Sequence, residues 1–210
     1  MDLKTAIEKR SSVRHFTTDP VPPADLQEMV RLAGCAPSVN NSQPWRFVAV
    51  TNAALRRRMA QLVRERLIEI LPSDPADEVE RDANEKLLQF CTWFGESPAV
   101  IAVETRDYEA VLDRALIRAG MSAAEAMRLR GYPNSIAIGA SVENLLLAAT
   151  AMGYGSCWLT GPLVAARALE SLIGTEAPWR LAAMVAVGKP VEPTPQSAKQ
   201  PLEQIFRLIA

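Results

Sequence analysis

The sequence predicts a single α+β domain in which helices dominate. Four short apolar runs have the length and composition of strands buried in a sheet, and six or more longer segments carry apolar residues at helical spacing. The chain of 210 residues is 49% hydrophobic and 22% charged, which suits one core of ordinary size. Because no internal repeat or linker is visible, residues 1–210 are expected to form one domain.

Helices are predicted where apolar residues recur every three or four positions and a proline or glycine ends the pattern. The predicted helices are residues 2–9, 24–33, 52–71, 84–94, 107–130, 135–152 and 162–173. The first has its apolar positions at Leu3, Ala6 and Ile7. The arginine-rich face of helix 52–71 is expected to be solvated, whereas helix 135–152 is apolar on nearly every side and is expected to be buried.

Strands are predicted from continuous apolar runs that lie between turn-forming residues. The predicted strands are residues 45–50, 99–103, 156–160 and 181–188. Residues 73–82 are acidic and poor in apolar side chains, so a surface connection is expected there. The tail 189–210 contains several prolines before an apolar end, and such an arm is expected to pack on a partner surface.

The charge balance disfavours nucleic acids and membrane surfaces as partners. Lys and Arg number 23 against 24 Asp and Glu, which gives a net charge of -1. The first residues lack the apolar segment of a signal peptide, and no run is long enough to span a bilayer, so a cytoplasmic protein is expected. The three cysteines are too far apart for a metal knuckle or a disulfide framework, and reduced thiols are expected.

The single histidine, His15, limits the possible catalytic chemistry. A Ser-His-Asp triad, a two-histidine zinc site or a Cys-His dyad would need it, and its basic neighbours disfavour its protonation and repel a metal cation. We therefore predict no catalytic side chain and no metal ligand. Chemistry carried by an organic cofactor is favoured instead.

The segment Arg10-Ser11-Ser12-Val13-Arg14 has the composition of a phosphate-binding site. Guanidinium groups present a planar fork of donors that matches phosphate, and the hydroxyls add neutral hydrogen bonds. Taken alone, however, the segment is more readily explained as an exposed helix end with solvated charges.

Five motifs in chain order resemble the FMN-dependent nitroreductase family across nearly the whole chain. They are Arg10-Ser11-Ser12-Val13-Arg14, Ala36-Pro37-Ser38 with Asn41-x-Gln43-Pro44-Trp45, Glu143-Asn144 in the long apolar helix, Gly153-x-Gly155-x-x-Trp158-Leu159-Thr160-Gly161, and Gly188-Lys189-Pro190 followed by Lys199-x-Pro201-Leu202-Glu203. Each motif is weak alone, but the series is specific. The resemblance implies a three-layer sandwich whose central sheet is mixed, mostly antiparallel, has four to five strands and is flanked by helices, with the C-terminal arm exchanged between two subunits.

The resemblance also implies which residues bind FMN. Arg10, Ser12 and Arg14 would meet the phosphate, the ribityl chain and the pyrimidine edge, with Ser11 adjoining and Arg14 assigned to the ring. Lys199 stands where the family usually has an arginine for the phosphate. The charge is kept, but the bidentate geometry of a guanidinium is lost.

Two further segments are implied to lie along the isoalloxazine. The first is the loop with Pro37, Ser38, Asn41 and Gln43, whose amides can bond ring heteroatoms without adding charge. The second runs past the N5 edge and contains Trp158, Leu159, Thr160 and Gly161. A backbone N–H or the threonine hydroxyl would bond N5, and the glycine would allow close approach of the ring, although a plain turn glycine before Pro162 explains it nearly as well.

The activity implied by the resemblance is that of an NAD(P)H-dependent FMN oxidoreductase. Hydride from NADH or NADPH would pass to flavin N5, and a flat electron-poor acceptor, a nitroaromatic or a quinone, would then be reduced in a ping-pong reaction at a homodimer interface. Two alternatives remain open: an FMN enzyme of the same fold with another chemistry, either reductive dehalogenation or flavin breakdown, and a non-enzymatic dimer that carries FMN or a nucleotide. Residues 104–132 are expected to form a lid, with Arg106, Tyr108 and Tyr132 as candidate substrate contacts.

Overall fold

A four-stranded antiparallel sheet forms the centre of the protein in a computed structural model, which describes residues 1–72 and 77–209. The strands are β1 (Trp45–Val50), β2 (Ala99–Thr105), β3 (Gly155–Leu159) and β4 (Arg180–Gly188). Their order across the sheet is β1-β2-β4-β3, and each neighbouring pair is antiparallel. The predicted α+β class is confirmed, and the sheet has four strands within the described part of the chain.

Helices lie along the chain in the predicted order, with shifted boundaries. They are α1 (Leu3–Lys9), α2 (Pro23–Ala33), α3 (Ala53–Ile70), α4 (Glu78–Thr92), α5 (Val111–Arg118), α6 (Ala123–Leu129), α7 (Pro133–Ala151), α8 (Ala166–Ile173) and α9 (Leu202–Ile205). Short 3₁₀ helices occupy Val39–Asn41, Trp93–Glu96 and Gly161–Ala165. The predicted helix 107–130 is divided near Gly120, where φ is +96°.

The predicted acidic connection, residues 73–82, lies partly outside the described residues. Its last part is helical, because the side chain of Asp77 accepts a hydrogen bond from the Glu80 amide at 2.8 Å and begins α4 well before residue 84.

Two hydrophobic clusters cover the two faces of the sheet. Helices α2 and α7 pack on one face through residues such as Met29 and Leu145. Helices α3, α4 and α8 cover the other, with Met59 and Leu169 fully buried. This arrangement confirms the predicted layers of helix, sheet and helix. No described helix has both the length and the apolar character that crossing a bilayer requires.

Burial departs from the predictions at Ile136 in α7 and at Arg56 in α3, although the other arginines of α3 are exposed as predicted: Arg57, Arg58, Arg64 and Arg66. In α1 only Ala6 is buried, while Leu3 and Ile7 are 67% and 51% exposed, because α7 covers only one side of this short helix. Helix α7 is not buried on all sides, since Ile136 is 65% exposed. On the arginine face of α3, Arg56 is buried and its guanidinium donates to the carbonyl of Thr51.

Helix α7 also fixes the end of α2, from which the polar loop 36–44 departs. The Ser141 hydroxyl donates to the carbonyl of Ala33 at 3.0 Å, and the Asn144 amide donates to that of Leu32 at 3.4 Å. These bonds add side-chain donors to carbonyls of the last turn of α2, which also accept from the backbone amides of Cys35 and Ala36. They also give Asn144, part of one of the five motifs, a structural role.

Candidate functional site

The Arg10–Arg14 segment lies against β3, at one edge of the sheet. The Val13 amide donates to the carbonyl of Ser156 at 3.0 Å, and Ser12 forms an isolated parallel bridge with Ser156. A Cβ atom on Gly155 would lie 2.8 Å from the side chain of Val13. Glycine at 155 therefore allows the basic segment to lie directly on the strand.

One cavity of about 200 Å³ brings cationic residues from both ends of the chain together. Its lining includes Arg10, Ser11, Ser12, Arg14 and Lys199. The C-terminal tail is held there because the amide of a single glutamine in the tail donates to two carbonyls at the end of α1. This residue is Gln196, whose Nε2 lies 2.8 Å from the Ile7 oxygen and 2.6 Å from the Arg10 oxygen. We call this cavity of about 200 Å³ the cationic cavity.

The positive charge of the cationic cavity is only partly neutralised. The Nε atom of Arg10 lies 3.7 Å from Oε1 of Glu143, whose side chain is 48% exposed. Within residues 1–72 and 77–209, no carboxylate oxygen lies within 4.0 Å of the charged groups of Arg14 or Lys199. The Arg14 guanidinium instead lies 5.8 Å from the centre of the Phe90 ring. Such an excess of donors and charge suits an anionic ligand.

A buried thiol lies beside this cavity without the chemistry of a nucleophile. Burial raises the pKa of Cys157, and the nearby charge of Arg14 opposes that rise only in part. All three cysteines of the sequence, Cys35, Cys91 and Cys157, are free thiols, as predicted. A thiol that stays protonated in an apolar setting acts as a small core residue.

The polar loop before β1 has an unusual backbone. Asn40, Asn41 and Gln43 have φ values of +51°, +53° and +44°, in the left-handed region that side chains other than glycine seldom adopt. The Ser38 hydroxyl accepts the Gln43 amide at 2.9 Å, and the Gln43 side chain donates to Oδ1 of Asn41 at 3.2 Å. The loop is therefore held by its own bonds, and Pro37, Asn41 and Gln43 are exposed.

This loop and the cationic cavity lie at opposite edges of the sheet. The loop leads into β1, one edge strand, whereas the basic segment pairs with β3, the other edge strand. Three strand spacings separate these edges, on the order of 14 Å. One chain therefore does not bring the loop residues into the cavity that Arg10 and Lys199 line.

Residues 158–161 have different surroundings from one another. Trp158 is 39% exposed and lines a second cavity with Thr105 and Arg180, whereas the Leu159 side chain lies in the core. Thr160 is exposed and follows the end of β3. A Cβ atom on Gly161 would lie 2.9 Å from Sγ of Cys91, so packing within the chain already requires glycine there.

The expected lid consists of α5 and α6, which an ion pair between Asp113 and Arg130 joins. The three candidate substrate contacts lie around it. The Arg106 guanidinium is 5.1 Å from the ring centre of Trp179, the Tyr108 hydroxyl accepts from Asn40 at 3.3 Å, and Tyr132 is 51% exposed.

The sequence interpretation missed the roles of Gln196 and of Glu143. Gln196 stands in a proline-rich tail with no motif around it, so nothing in the sequence indicates that it holds the tail to α1. Glu143 belongs to a recognised motif, but its pairing with Arg10 depends on how α1 packs against α7.

Comparisons with known proteins identify the family. The sequence model of the nitroreductase family matches residues 7–189, so the chain belongs to the nitroreductase family. The chain is 28% identical to an NADH dehydrogenase of Thermus thermophilus, over 98% of this chain and 95% of that protein.

Solved structures agree over the full length of the chain. A BluB-like flavoprotein from Clostridium difficile is 30% identical with a TM-score of 0.89, and both chains are covered completely. An iodotyrosine deiodinase bound to FMN and 3-iodo-L-tyrosine is 25% identical with a TM-score of 0.69, again with complete coverage of both chains. The flavoprotein family, the fold and the oxidoreductase class are thereby established.

Proposed function

We propose that this protein binds FMN and catalyses electron transfer from NAD(P)H to a flat electron-poor acceptor, such as a nitroaromatic or a quinone. The cationic cavity carries this proposal, because Arg10, Arg14 and Lys199 meet there beside two serine hydroxyls. That donor set fits a phosphate dianion and the hydroxyls of a ribityl chain. A volume of about 200 Å³ is too small for a whole flavin, so the ring would lie outside the cavity.

The five predicted residues that line the cavity each have a proposed role toward FMN. Arg10 and Lys199 bind the phosphate, with Ser11 adjoining, and Ser12 bonds the ribityl chain. Arg14 places its charge at the pyrimidine edge, where it favours the acceptance of electrons by the ring. Lys199 neutralises charge as a point cation and does not form the paired bonds of a guanidinium.

The chemistry that FMN supplies when bound is acceptance of hydride from the nicotinamide and delivery of electrons to the acceptor. The protein then needs to bind and orient the nicotinamide donor and the acceptor and to exclude water, and no side chain need act as an acid or base. Trp158, Leu159, Thr160 and Gly161 run along the N5 edge, with Leu159 contributing only its backbone because its side chain is in the core. A cytoplasmic location, as expected from the sequence, suits NADH or NADPH as the donor.

We further propose that a homodimer completes the site. The loop with Pro37, Ser38, Asn41 and Gln43 would come from the second subunit, because one chain holds it at the opposite sheet edge from the cationic cavity.

The C-terminal tail offers a surface for the same dimer. Its large apolar residues Leu202, Ile205, Phe206, Leu208 and Ile209 are each at least 60% exposed. Apolar surface concentrated in this way marks an interface. Light scattering should give a dimer mass for the full chain and a monomer mass after truncation following Pro201. A monomeric full chain would contradict the composite site.

The direct test of the proposed function is an absorption spectrum of the purified protein, taken without oxygen before and after addition of NADH or NADPH. We expect a yellow protein whose visible flavin band disappears with at least one donor and returns when a nitroaromatic or a quinone is added. A protein that stays colourless after incubation with FMN would overturn the proposal. A yellow protein that neither donor bleaches would instead be the carrier that the sequence leaves open.

A second candidate is an FMN enzyme of the same fold with another chemistry, either reductive dehalogenation or oxygen-dependent flavin breakdown. It is favoured by the similarity to an iodotyrosine deiodinase and by the TM-score of 0.89 with the BluB-like flavoprotein. Product analysis separates these chemistries. Release of iodide from an iodophenol, or consumption of FMN itself in air, would replace nitroaromatic or quinone reduction as the assigned activity.

A further inference from the structure

A second cavity, of about 150 Å³, lies between the beginning of α7 and the ends of β2 and β4. Its lining includes Thr105, Asn134, Ser135, Trp158 and Arg180. Thr105 and Arg180 face each other across the pairing of β2 and β4. The cavity therefore adjoins Trp158, a residue that the proposed function places beside the flavin.

The side chains of this cavity leave several hydrogen-bond donors available. Thr105 is only 5% exposed, and its hydroxyl has no hydrogen-bond partner among the described residues. Arg180 is half-exposed, and its Nη2 atom lies 3.0 Å from Oδ1 of Asp107. A guanidinium carries five N–H groups, so this ion pair leaves donors for a ligand. A buried hydroxyl without a partner is unfavourable and indicates a missing polar group.

The beginning of α7 adds positive potential at the same place. Asn134 and Ser135 lie in its first turn, and Tyr132, which precedes the helix, provides no side-chain cap. The free amides of a first turn and the dipole of a 19-residue helix both favour an anion.

Two acidic residues near this cavity are each engaged by a cation. Glu104 precedes Thr105, but it is fully buried and is held by Arg46 and by the Thr175 hydroxyl. Asp107 is 76% exposed, so its repulsion of an anion is weakened by solvent.

We propose that this cavity binds a carboxylate group carried by the aromatic acceptor, whose ring lies against Trp158. The inference rests on the proposed function, since it names the class of acceptor that the FMN site would reduce. A volume of about 150 Å³ is below the range of roughly 300 to 1,000 Å³ that whole ligands occupy, so it suits one substituent and not an entire substrate. Arg180, Thr105 and the first turn of α7 bind the carboxylate.

The test compares 4-nitrobenzoate with the neutral 4-nitrobenzamide as acceptors for the FMN-loaded enzyme. Arg180→Gln should lower kcat/KM for the carboxylate about 10- to 100-fold, the range expected from losing charged hydrogen bonds, and change that for the amide less than about twofold. Thr105→Val should act in the same direction with a smaller effect. Arg167→Gln is the matched control, since Arg167 is an exposed arginine of α8 on the opposite face of the sheet, and it should change neither value.

Benzoate binding measured by calorimetry separates failure of this inference from failure of the proposed function. If the protein binds benzoate more tightly than benzamide and Arg180→Gln removes the preference, the cavity binds carboxylates even where no nitro compound is reduced. If both nitro compounds are reduced equally well and Arg180→Gln changes nothing, the cavity assignment is wrong while the oxidoreductase activity stands. Equal benzoate affinity in the wild type, Arg180→Gln and Thr105→Val would also overturn the cavity assignment.

Discussion

Two clusters of charged residues in this protein are arranged in opposite ways. The first consists of Arg46 and Glu104, which lie opposite each other in the pairing of β1 and β2, and the hydrogen bond to the carboxylate raises the pKa of the Arg46 guanidinium. In the cationic cavity, Arg14 and Lys199 have no carboxylate within 4.0 Å in the part of the chain described. The first cluster is electrically balanced, whereas the second keeps an excess of positive charge.

The difference shows that arginine content alone does not indicate anion binding. Glu104 is fully buried, and a carboxylate removed from water needs a partner, so Arg46 serves the fold. Arg10 has only a partly exposed glutamate at 3.7 Å, and the serines beside it offer further hydrogen bonds. Facing carboxylates therefore distinguish a structural arginine from one that is available to a ligand.

The largest predicted effect comes from breaking the balanced cluster with Arg46→Met. A buried carboxylate left without its cationic partner, with only the Thr175 hydroxyl still bonded to it, should reduce the free energy of unfolding by about 3 kcal/mol or more. Urea denaturation of the wild type and the variant measures the change.

Arg57→Met is the control for that variant, since Arg57 forms an exposed ion pair with Glu96 and should contribute less than about 1 kcal/mol. FMN affinity should stay within about twofold of the wild type in both variants. A large loss of FMN from Arg46→Met, without a loss of stability, would remove the distinction between the two clusters.

Arg10→Ala should have the next largest effect, and it should act on the cofactor. Losing charged hydrogen bonds of about 1.5–3 kcal/mol would weaken FMN binding roughly 10- to 100-fold and would release flavin on dialysis. Fluorescence titration with FMN measures the change. Lys9→Ala, one residue earlier and exposed, is the matched control. Full FMN occupancy of dialysed Arg10→Ala would contradict the phosphate assignment.

Gly155→Ala should weaken FMN binding without removing any charge. The new Cβ atom would lie 2.8 Å from the Val13 side chain and displace the Arg10–Arg14 segment from β3. We expect a decrease in affinity of about tenfold, by analogy with other overpacked contacts. Val13→Gly in the same chain removes the contacting Cβ atom and should restore part of the affinity, and Gly34→Ala, with 3.4 Å to its nearest atom, should change little. Unchanged FMN affinity in Gly155→Ala would mean that the segment's position does not matter.

The smallest effect is expected for Lys199→Ala. An exposed point charge at the edge of the cavity contributes less than a guanidinium that can form paired bonds, so FMN affinity should fall only a few-fold. Lys199→Arg should bind FMN at least as tightly as the wild type. The same titration, repeated at two salt concentrations, checks the ranking, and equal losses for Lys199→Ala and Arg10→Ala would reverse it.

Much of the fold could be predicted from the sequence, because prolines, glycines and apolar runs act locally. The four strands and the order of the helices follow from them. Burial around each helix could not be predicted as well, since the exposure of Ile136 depends on which neighbours cover α7. The buried position of Arg56 likewise depends on a contact with the Thr51 carbonyl that no periodicity encodes.

The candidate site shows the same division. The basic segment and Lys199 could be identified from local sequence motifs, and the structure places them in one cavity. The hold of Gln196 on α1, the pairing of Arg10 with Glu143 and the cavity beside Thr105 arise from contacts between distant segments. Roles of that kind become visible only in the folded chain.

The central claim is that the cationic cavity binds the phosphate of FMN, and the comparison of FMN with riboflavin tests it most directly. Riboflavin has the same ring and ribityl chain without the phosphate, so the ratio of the two dissociation constants isolates the contribution of the cavity. We predict that the wild type binds FMN at least about 100-fold more tightly and that Arg10→Ala reduces this ratio by about tenfold or more. Equal affinities for FMN and riboflavin in the wild type would contradict the claim.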